Sequence, residues 1–314
     1  MPLISVVIPT LYRPYLLLRA IDSVLRQTHQ DLELVVVIDG PDPDTVTAVR
    51  SVDDPRIRVI VNPHSLTAAG ARNVGVDHAM GEWIAFLDDD DEWLPRKLER
   101  QIAFAVGRPP GLVSCLSRIV TPTGTYVRPK KIYDNVAPID EYLFDRHSWF
   151  GGSGFIQTSS YLLPRRLFNE LRFNVHSPHD DWEFLLRLSK DVGARIETVP
   201  EILVVLYFEE QRASLTRSTA WPASLTWLES IRPIVTPRAY SGFCLGVVGS
   251  RAARDGAYRA FPDLLARAFR SGMPRLWHIL PFLAFWLTPQ RLRRQLRRLF
   301  QDRTSGLKNL DLDY

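Results

Sequence analysis

With 314 residues, 46% of them hydrophobic and 24% charged, the chain can build one large core or two modest ones, which excludes a disordered or fibrous protein. Its two cysteines, Cys115 and Cys244, stand at no metal-ligand spacing, so a disulfide scaffold and a zinc module are excluded and a reduced, cytoplasmic protein is expected. The formal charge of +4 is exceeded by the five arginines of residues 291–298, so the basic character belongs to the tail.

In chain order, Leu3 to Ile8 is a β-branched run closed by Pro9, too short for a secretory leader and well suited to a central strand. Pro14 opens a helix on which Leu16, Ala20, Ile21, Val24 and Leu25 recur at helical spacing. Glu33 to Ile38 predicts a second strand closing on Asp39-Gly40. A helix follows over about 45–52, then a strand over Ile57 to Val61, then a helix from Ala68 to about Met80. This alternation predicts a parallel sheet with helices on both faces and its strand ends, Pro9-Thr10, Asp39 and Asp88, along one edge where a nucleotide fits. Neither G-x-G-x-x-G nor G-x-x-x-x-G-K-[ST] follows the first strand, which argues against a dinucleotide enzyme and a P-loop ATPase.

The pivotal stretch is Trp83-Ile84-Ala85-Phe86-Leu87, an apolar strand that ends in Asp88-Asp89-Asp90-Asp91. Four adjacent carboxylates repel one another strongly unless water, protonation or a cation relieves them. In an extended segment Asp88 and Asp90 point the same way and Asp89 the other, and hard oxygen ligands of this kind suit Mg²⁺ or Mn²⁺. A solvated acidic loop or a helix N-terminus would also tolerate such a run.

Beyond Pro95 a helix is expected, then a strand over Leu112 to Leu116 and a turn at Gly124 before Tyr126-Val127. A short helix is expected over 139–144, and Thr158 to Leu163 reads as a strand. Trp149 to Ile156 offers either an acceptor-binding surface or a tight packing turn. On the helix announced by Phe184, Leu185 and Leu188, Asp180 and Asp181 occupy the first turn, where acids also serve as caps. Ile202 to Phe208 is a last buried strand.

From Trp221 the pattern becomes helical, with helices over about 225–231, 239–254 and 258–270. Leu276 to Leu287 is apolar for twelve residues, short of the roughly 20 that cross a bilayer. With the basic stretch Arg291 to Phe300 behind it, residues 275–300 predict a segment lying in a membrane interface, or else a helix packed on the protein or on a second copy. No base-reading module accompanies the arginines, so nucleic acid is not expected.

Four motifs, Ser5 to Thr10 with Arg13, Val37 to Gly40, Ala69 to Asn73, and Phe86 to Asp91 with Trp93 and Pro95, together resemble the family 2 glycosyltransferases over roughly residues 1 to 215. The resemblance implies a GT-A fold: an α/β, Rossmann-like domain whose mostly parallel central sheet has helices on both faces, here followed by a C-terminal helical extension. It implies a catalytic domain over 1–217, divided into a nucleotide-sugar half (1–110) and an acceptor half (111–217), with the extension over 218–314. It further implies that Pro9, Thr10, Arg13, Arg72 and Asp89 line the donor, that Asp39 accepts from the base edge, that Asp88 faces ribose and diphosphate, and that Asp90, with Asp88, holds Mn²⁺ or Mg²⁺. Relatives place an acidic pair before a tryptophan and take the general base from it. Here that pair is Asp180-Asp181, and Asp181 is the expected base. Many relatives carry a histidine in the loop near Gln211; Arg212 is the expected substitute, since a guanidinium can neutralise phosphate charge.

The expected activity is metal-dependent, inverting transfer of a sugar from a nucleoside diphosphate sugar, UDP before GDP or dTDP, to a hydroxyl of a glycan or lipid-linked acceptor. This would take place in the cytoplasm at the inner face of the membrane, with a homo-oligomer left open. A non-catalytic glycan-binding scaffold and a sugar-1-phosphate nucleotidyltransferase are the alternatives, the second lacking its glycine-rich, lysine-containing signature.

Overall fold

The structure, a computed structural model, describes residues 2–109, 111–145, 152, 154–208 and 220–288. They form two compact units, one made of residues up to Ile119, Val127–Leu143 and Ser153–Tyr207, the other containing the helices after Ala220, residues Val120–Tyr126, and Phe144 with Asp145.

In the first unit β1 (Ile4–Thr10) and β2 (Leu32–Ile38) are buried at every position. Continuous apolar runs produce this pattern when a sheet is covered on both faces. β3 (Ile57–Val61) pairs parallel with β2, and β4 (Trp83–Phe86) parallel with β1. The connecting helices are α1 (Pro14–Leu25), α2 (Pro43–Arg50) and α3 (Thr67–His78). α3 lies so close to β1 that a Cβ at Gly75 would overlap the side chain of Val7. Residues from Ile4, Leu34, Leu17, Ile21, Leu98 and Leu206 meet in one continuous core.

The remaining strands are β5 (Glu92–Trp93), β6 (Gly111–Thr121), β7 (Gly124–Arg128), β8 (Leu162–Pro164) and β9 (Arg195–Tyr207), interspersed with α4 (Lys97–Ala105), α5 (Ile139–Phe144) and α6 (Asp180–Lys190). Among the described residues the sheet runs β3-β2-β1-β4-β8-β6-β9-β5, with β7 beside β6. The parallel arrangement stops at β4: β8 is antiparallel to both β4 and β6, and β5 is antiparallel to β9. Parallel pairing needs a crossover between the paired strands, and α1, α2 and α3 supply it for β1 to β4.

Two local expectations are corrected here. Thr158–Ser160 is a 3₁₀ turn, not strand, and β8 begins only at Leu162. The strand preceding the acids ends at Phe86, and Asp88 to Asp91 form a turn closed by the Asp91 N–H donating to the Asp88 carbonyl at 3.1 Å.

The second unit contains α7 (Trp221–Ser230), α8 (Pro237–Phe243), a π-helical stretch Cys244–Val248, α9 (Gly249–Arg254), α10 (Ala260–Ser271) and α11 (Leu276–Leu287). Phe144 packs edge-on against Trp227 and Phe243, and Phe282 stacks on Phe261. Among the described residues no helix is long and apolar enough to cross a membrane. The basic stretch from Arg291 lies outside the described residues.

Candidate active site

The C-terminal ends of β1, β2 and β4 carry the predicted residues to one edge. Pro9 and Thr10 stand opposite Val37 and Ile38 in the β1–β2 register. Past the strand, Tyr12 takes a left-handed backbone, φ 55°, and its N–H donates to Asp42 Oδ2 at 2.6 Å. That turn leaves the Tyr12 ring 66% exposed above the strand ends.

Thr10 Oγ1 donates to Asp89 Oδ2 at 2.8 Å, and Arg13 Nη1 reaches Asp89 Oδ1 at 3.1 Å and Asp90 Oδ2 at 3.4 Å. The four acids alternate as an extended segment would: Asp89 and Asp91 are buried, while the side chains of Asp88 and Asp90 are 25% and 26% exposed. Burial, then the neighbouring Asp90, pushes Asp89 up to about 6, against the pull of Arg13 and Thr10. Burial together with Asp90 and Asp88 also holds Asp91 well above the ordinary carboxylate range.

Asp88 and Asp90 have different partners. Asp88 is held by Arg72 Nη2 at 2.7 Å and by Gln157 Nε2 at 2.8 Å, whereas Asp90 faces Arg13. The 3₁₀ turn supports the acids from below. Ser159 Oγ accepts from the Asp88 N–H at 3.0 Å and donates to Asp91 at 2.7 Å, and the indole N–H of Trp93 donates to the Ser159 carbonyl at 2.8 Å.

Arg72, on α3 and 6% exposed, joins this turn to α6: its Nη1 lies 2.9 Å from Asp180 Oδ2. Burial opposes its charge, and Asp88, Asp180 and Asp181 more than offset that, so its pKa is raised. Asp181 follows in the first turn of α6, its Oδ1 accepting from the Trp182 N–H at 2.8 Å. Burial first, then Asp180, pushes it up to about 7 despite that hydrogen bond and Arg72. A carboxylate in that range is suited to taking a proton at neutral pH. Tyr161 is fully buried and stacked on Phe184 of α6, and its hydroxyl has no hydrogen-bond partner among the described residues. His179, buried before the acidic pair, stacks on Trp182.

Asp39 is engaged by the chain itself. Oδ1 accepts from Asn62 Nδ2 at 2.8 Å and the Leu66 N–H at 2.9 Å, and Oδ2 accepts from Ser65 Oγ at 2.7 Å. It therefore anchors the loop between β3 and α3, and only Oδ2 keeps a lone pair for a further donor.

Arg212 and Gln211 lie outside the described residues, as do Trp149, Phe150, Gly151 and Ser153 of the stretch Trp149 to Ile156. Within that segment Gly154 is a packing position, since a Cβ there would overlap the Tyr142 carbonyl. A surface cleft lined by Glu82, Trp83, Pro164, Arg165, Arg166 and Asn169 opens at the start of β4, the opposite end from the acids, and contains none of the predicted residues. Sequence reasoning missed Tyr12, Gln157, Ser159 and Tyr161. No local pattern marks Gln157 and Ser159 as partners of acids roughly 70 positions earlier, or Tyr161 as a buried neighbour of α6; for Tyr12 the signal was an aromatic residue just past a strand end.

A family model described as Glycosyl transferase family 2 matches residues 5–172. The chain belongs to that family. This glycosyltransferase is 28% identical over 247 residues to the amylovoran biosynthesis glycosyltransferase AmsB of Erwinia amylovora, covering 74% of this chain and 79% of the relative. It is 30% identical to the putative colanic acid biosynthesis glycosyl transferase WcaA of Escherichia coli, covering 68% and 76%. A third relative from E. coli, the UDP-Glc:alpha-D-GlcNAc-diphosphoundecaprenol beta-1,3-glucosyltransferase WfgD, is 35% identical over 42% of this chain and 54% of its own. Among solved structures, Staphylococcus aureus TarS 1-349 in complex with UDP-GlcNAc superposes with a TM-score of 0.61 at 17% identity, covering 93% and 91%. The mannosyltransferase PcManGT from Pyrobaculum calidifontis, in complex with GDP-Man and Mn2+, gives 0.60 at 20% identity, covering 98% and 87%. The family 2 enzyme thus has the GT-A fold, with additional C-terminal helices.

Proposed function

We propose that this enzyme moves a sugar from a UDP-sugar, with inversion and with a divalent cation, to a hydroxyl of a glycan carried on a lipid, at the inner face of the membrane. The observation that carries the reading is the Arg72 bridge, which brings the acidic turn and the Asp181-bearing end of α6 to one place. A donor's leaving group and an acceptor's proton acceptor have to meet in this way.

The donor set fits Mg²⁺ or Mn²⁺. Among the described residues four carboxylates, Asp88, Asp89, Asp90 and Asp180, pair with the guanidiniums of Arg13 and Arg72, and Asp91 and Asp181 stand beside them, so an anionic diphosphate would be repelled unless a cation came with it. Among the described residues no three His, Cys, Asp or Glu side chains form a ready metal cage. A cation held by one or two carboxylates and completed by substrate phosphates needs none. Asp90 and Asp88, the partly exposed pair, are the residues that would hold it. A divalent cation bound there supplies charge neutralisation for the departing diphosphate.

The chain's own groups do the rest. Asp181 takes the proton from the acceptor hydroxyl as that oxygen attacks the anomeric carbon and the diphosphate departs, and Arg72 pairs with Asp180 beside it. Arg13 and Thr10 orient the acids, and the exposed Tyr12 ring offers a face for the base. A single displacement inverts the anomeric centre and needs no enzyme nucleophile. UDP is favoured because WfgD is named for UDP-Glc and the TarS complex holds UDP-GlcNAc; a lipid-borne acceptor is favoured because WfgD is named for a diphosphoundecaprenol acceptor.

Incubation with a panel of nucleotide sugars and Mn²⁺, with product analysis, tests the reading. Release of UDP without pyrophosphate is expected. Pyrophosphate would point to a nucleotidyltransferase, and no turnover with any donor to a glycan-binding scaffold.

A further inference from the structure

α11 is apolar on all sides, and an exposed helix of that kind normally has something covering it. Its one ionisable side chain, His278, points inward and is 1% exposed, with Nε2 2.6 Å from Asp145 Oδ1 and Arg275 Nη1 completing the pair at 3.0 Å from Oδ2. The outward positions are Leu276 (70% exposed), Trp277 (45%), Leu280 (42%) and Leu287 (80%), the reverse of the usual surface distribution. Phe269 and Met273, in the preceding helix and turn, are more than half exposed as well. At twelve residues, about 18 Å, the helix is too short for a bilayer core of about 30 Å.

We infer that Phe269, Met273, Leu276, Trp277, Leu280 and Leu287 form a docking face that seats in the headgroup region of an anionic bilayer. The charge distribution selects this occupant. Five arginines fall within residues 291–298, directly after the helix, and Arg275 stands at its start. Basic residues beside an apolar, Trp-bearing helix match a surface of anionic lipid, where each arginine strengthens binding about fivefold. The inference rests on the membrane location proposed above and names the surface responsible.

Flotation of the full chain with vesicles of phosphatidylcholine alone and of phosphatidylcholine with 30% phosphatidylglycerol tests it, alongside analytical ultracentrifugation without lipid. The wild type should float with the anionic vesicles only. Leu276→Ser/Trp277→Ser/Leu280→Ser should lose at least tenfold in partitioning, and Arg293→Gln/Arg294→Gln/Arg297→Gln about a hundredfold, both with donor hydrolysis unchanged. A wild type that floats with neither vesicle overturns the docking face and the membrane location together. Flotation equal in wild type and the Leu/Trp variant overturns this face alone. A dimer that the Leu/Trp variant dissociates, with no vesicle binding, shows that a second copy covers the helix and also overturns the inference.

Discussion

Arg72 and Asp180 stand 108 positions apart in the chain, yet the guanidinium of one lies 2.9 Å from the carboxylate of the other. The other arm of the same guanidinium holds Asp88 at 2.7 Å, so one buried charge sets the spacing between the acidic turn and α6. Replacing Arg72 by Met leaves two carboxylates uncompensated beside Asp181. Breaking a buried pair costs several kcal/mol; since Asp88 and Asp180 are each about a quarter exposed, a loss of about 2 kcal/mol is expected in urea unfolding. Adding Asp88→Asn and Asp180→Asn to Arg72→Met should recover most of it.

Asp181→Asn keeps the shape of the side chain and its acceptor for the Trp182 N–H while removing the base. Transfer should fall 10²- to 10⁴-fold with UDP affinity nearly unchanged. Stability should move the other way. The folded chain holds this carboxyl at about 7 against an ordinary 3.8, so between those values it keeps a proton that the unfolded chain releases. Wild-type stability therefore declines as pH rises through this window. The variant should be more stable at pH 8 by about 2 kcal/mol, allowing for partial solvent screening, and the gap should narrow toward pH 5. Melting curves at the two pH values check this.

Asp90→Ala should weaken UDP binding in the presence of Mn²⁺ by at least tenfold and leave the metal-free affinity little changed. Asp44→Ala, on α2 and outside the acidic cluster, is the control. Calorimetric titration with and without the cation separates the two, and equal affinities for wild type and Asp90→Ala with Mn²⁺ present would remove Asp90 from the donor site.

Lys97 is fully buried, its amine 3.8 Å from the centre of the Trp93 ring with no hydrogen-bond partner among the described residues. Burial lowers it to about 7, with Cys115 opposing. The unfolded chain then binds the extra proton between that value and the ordinary 10.5, so wild-type stability should rise with pH across this range. Lys97→Met should be more stable than the wild type at pH 6 by on the order of 4 kcal/mol, less the lost cation–π attraction, and should approach it near pH 10. Chemical unfolding at both pH values measures the difference.

Much of the first unit is legible in its residues. β1 and β2 are uniformly apolar and uniformly buried, Pro14 does open α1, and α5 occupies the six residues expected of it. The burial of Asp88 to Asp91 alternates as read, although the segment is a turn and not extended strand. The reading failed at Thr158–Ser160, where β-prone residues form a 3₁₀ turn because Ser159 is needed beneath the acids. Propensity yields to tertiary demand in such places.

By itself, then, the sequence determined which segments are strand or helix, which of their faces are apolar, and that four acids follow a buried strand, because periodicity and punctuation act over a few residues. Only the tertiary structure decided that the sheet turns antiparallel after β4, that Arg72 and Gln157 hold Asp88, and that Asp39 anchors the loop before α3. Those pairings join positions 16 to 81 residues apart. No local pattern encodes them, since they exist only once the chain has closed and the charges must be satisfied where water no longer reaches.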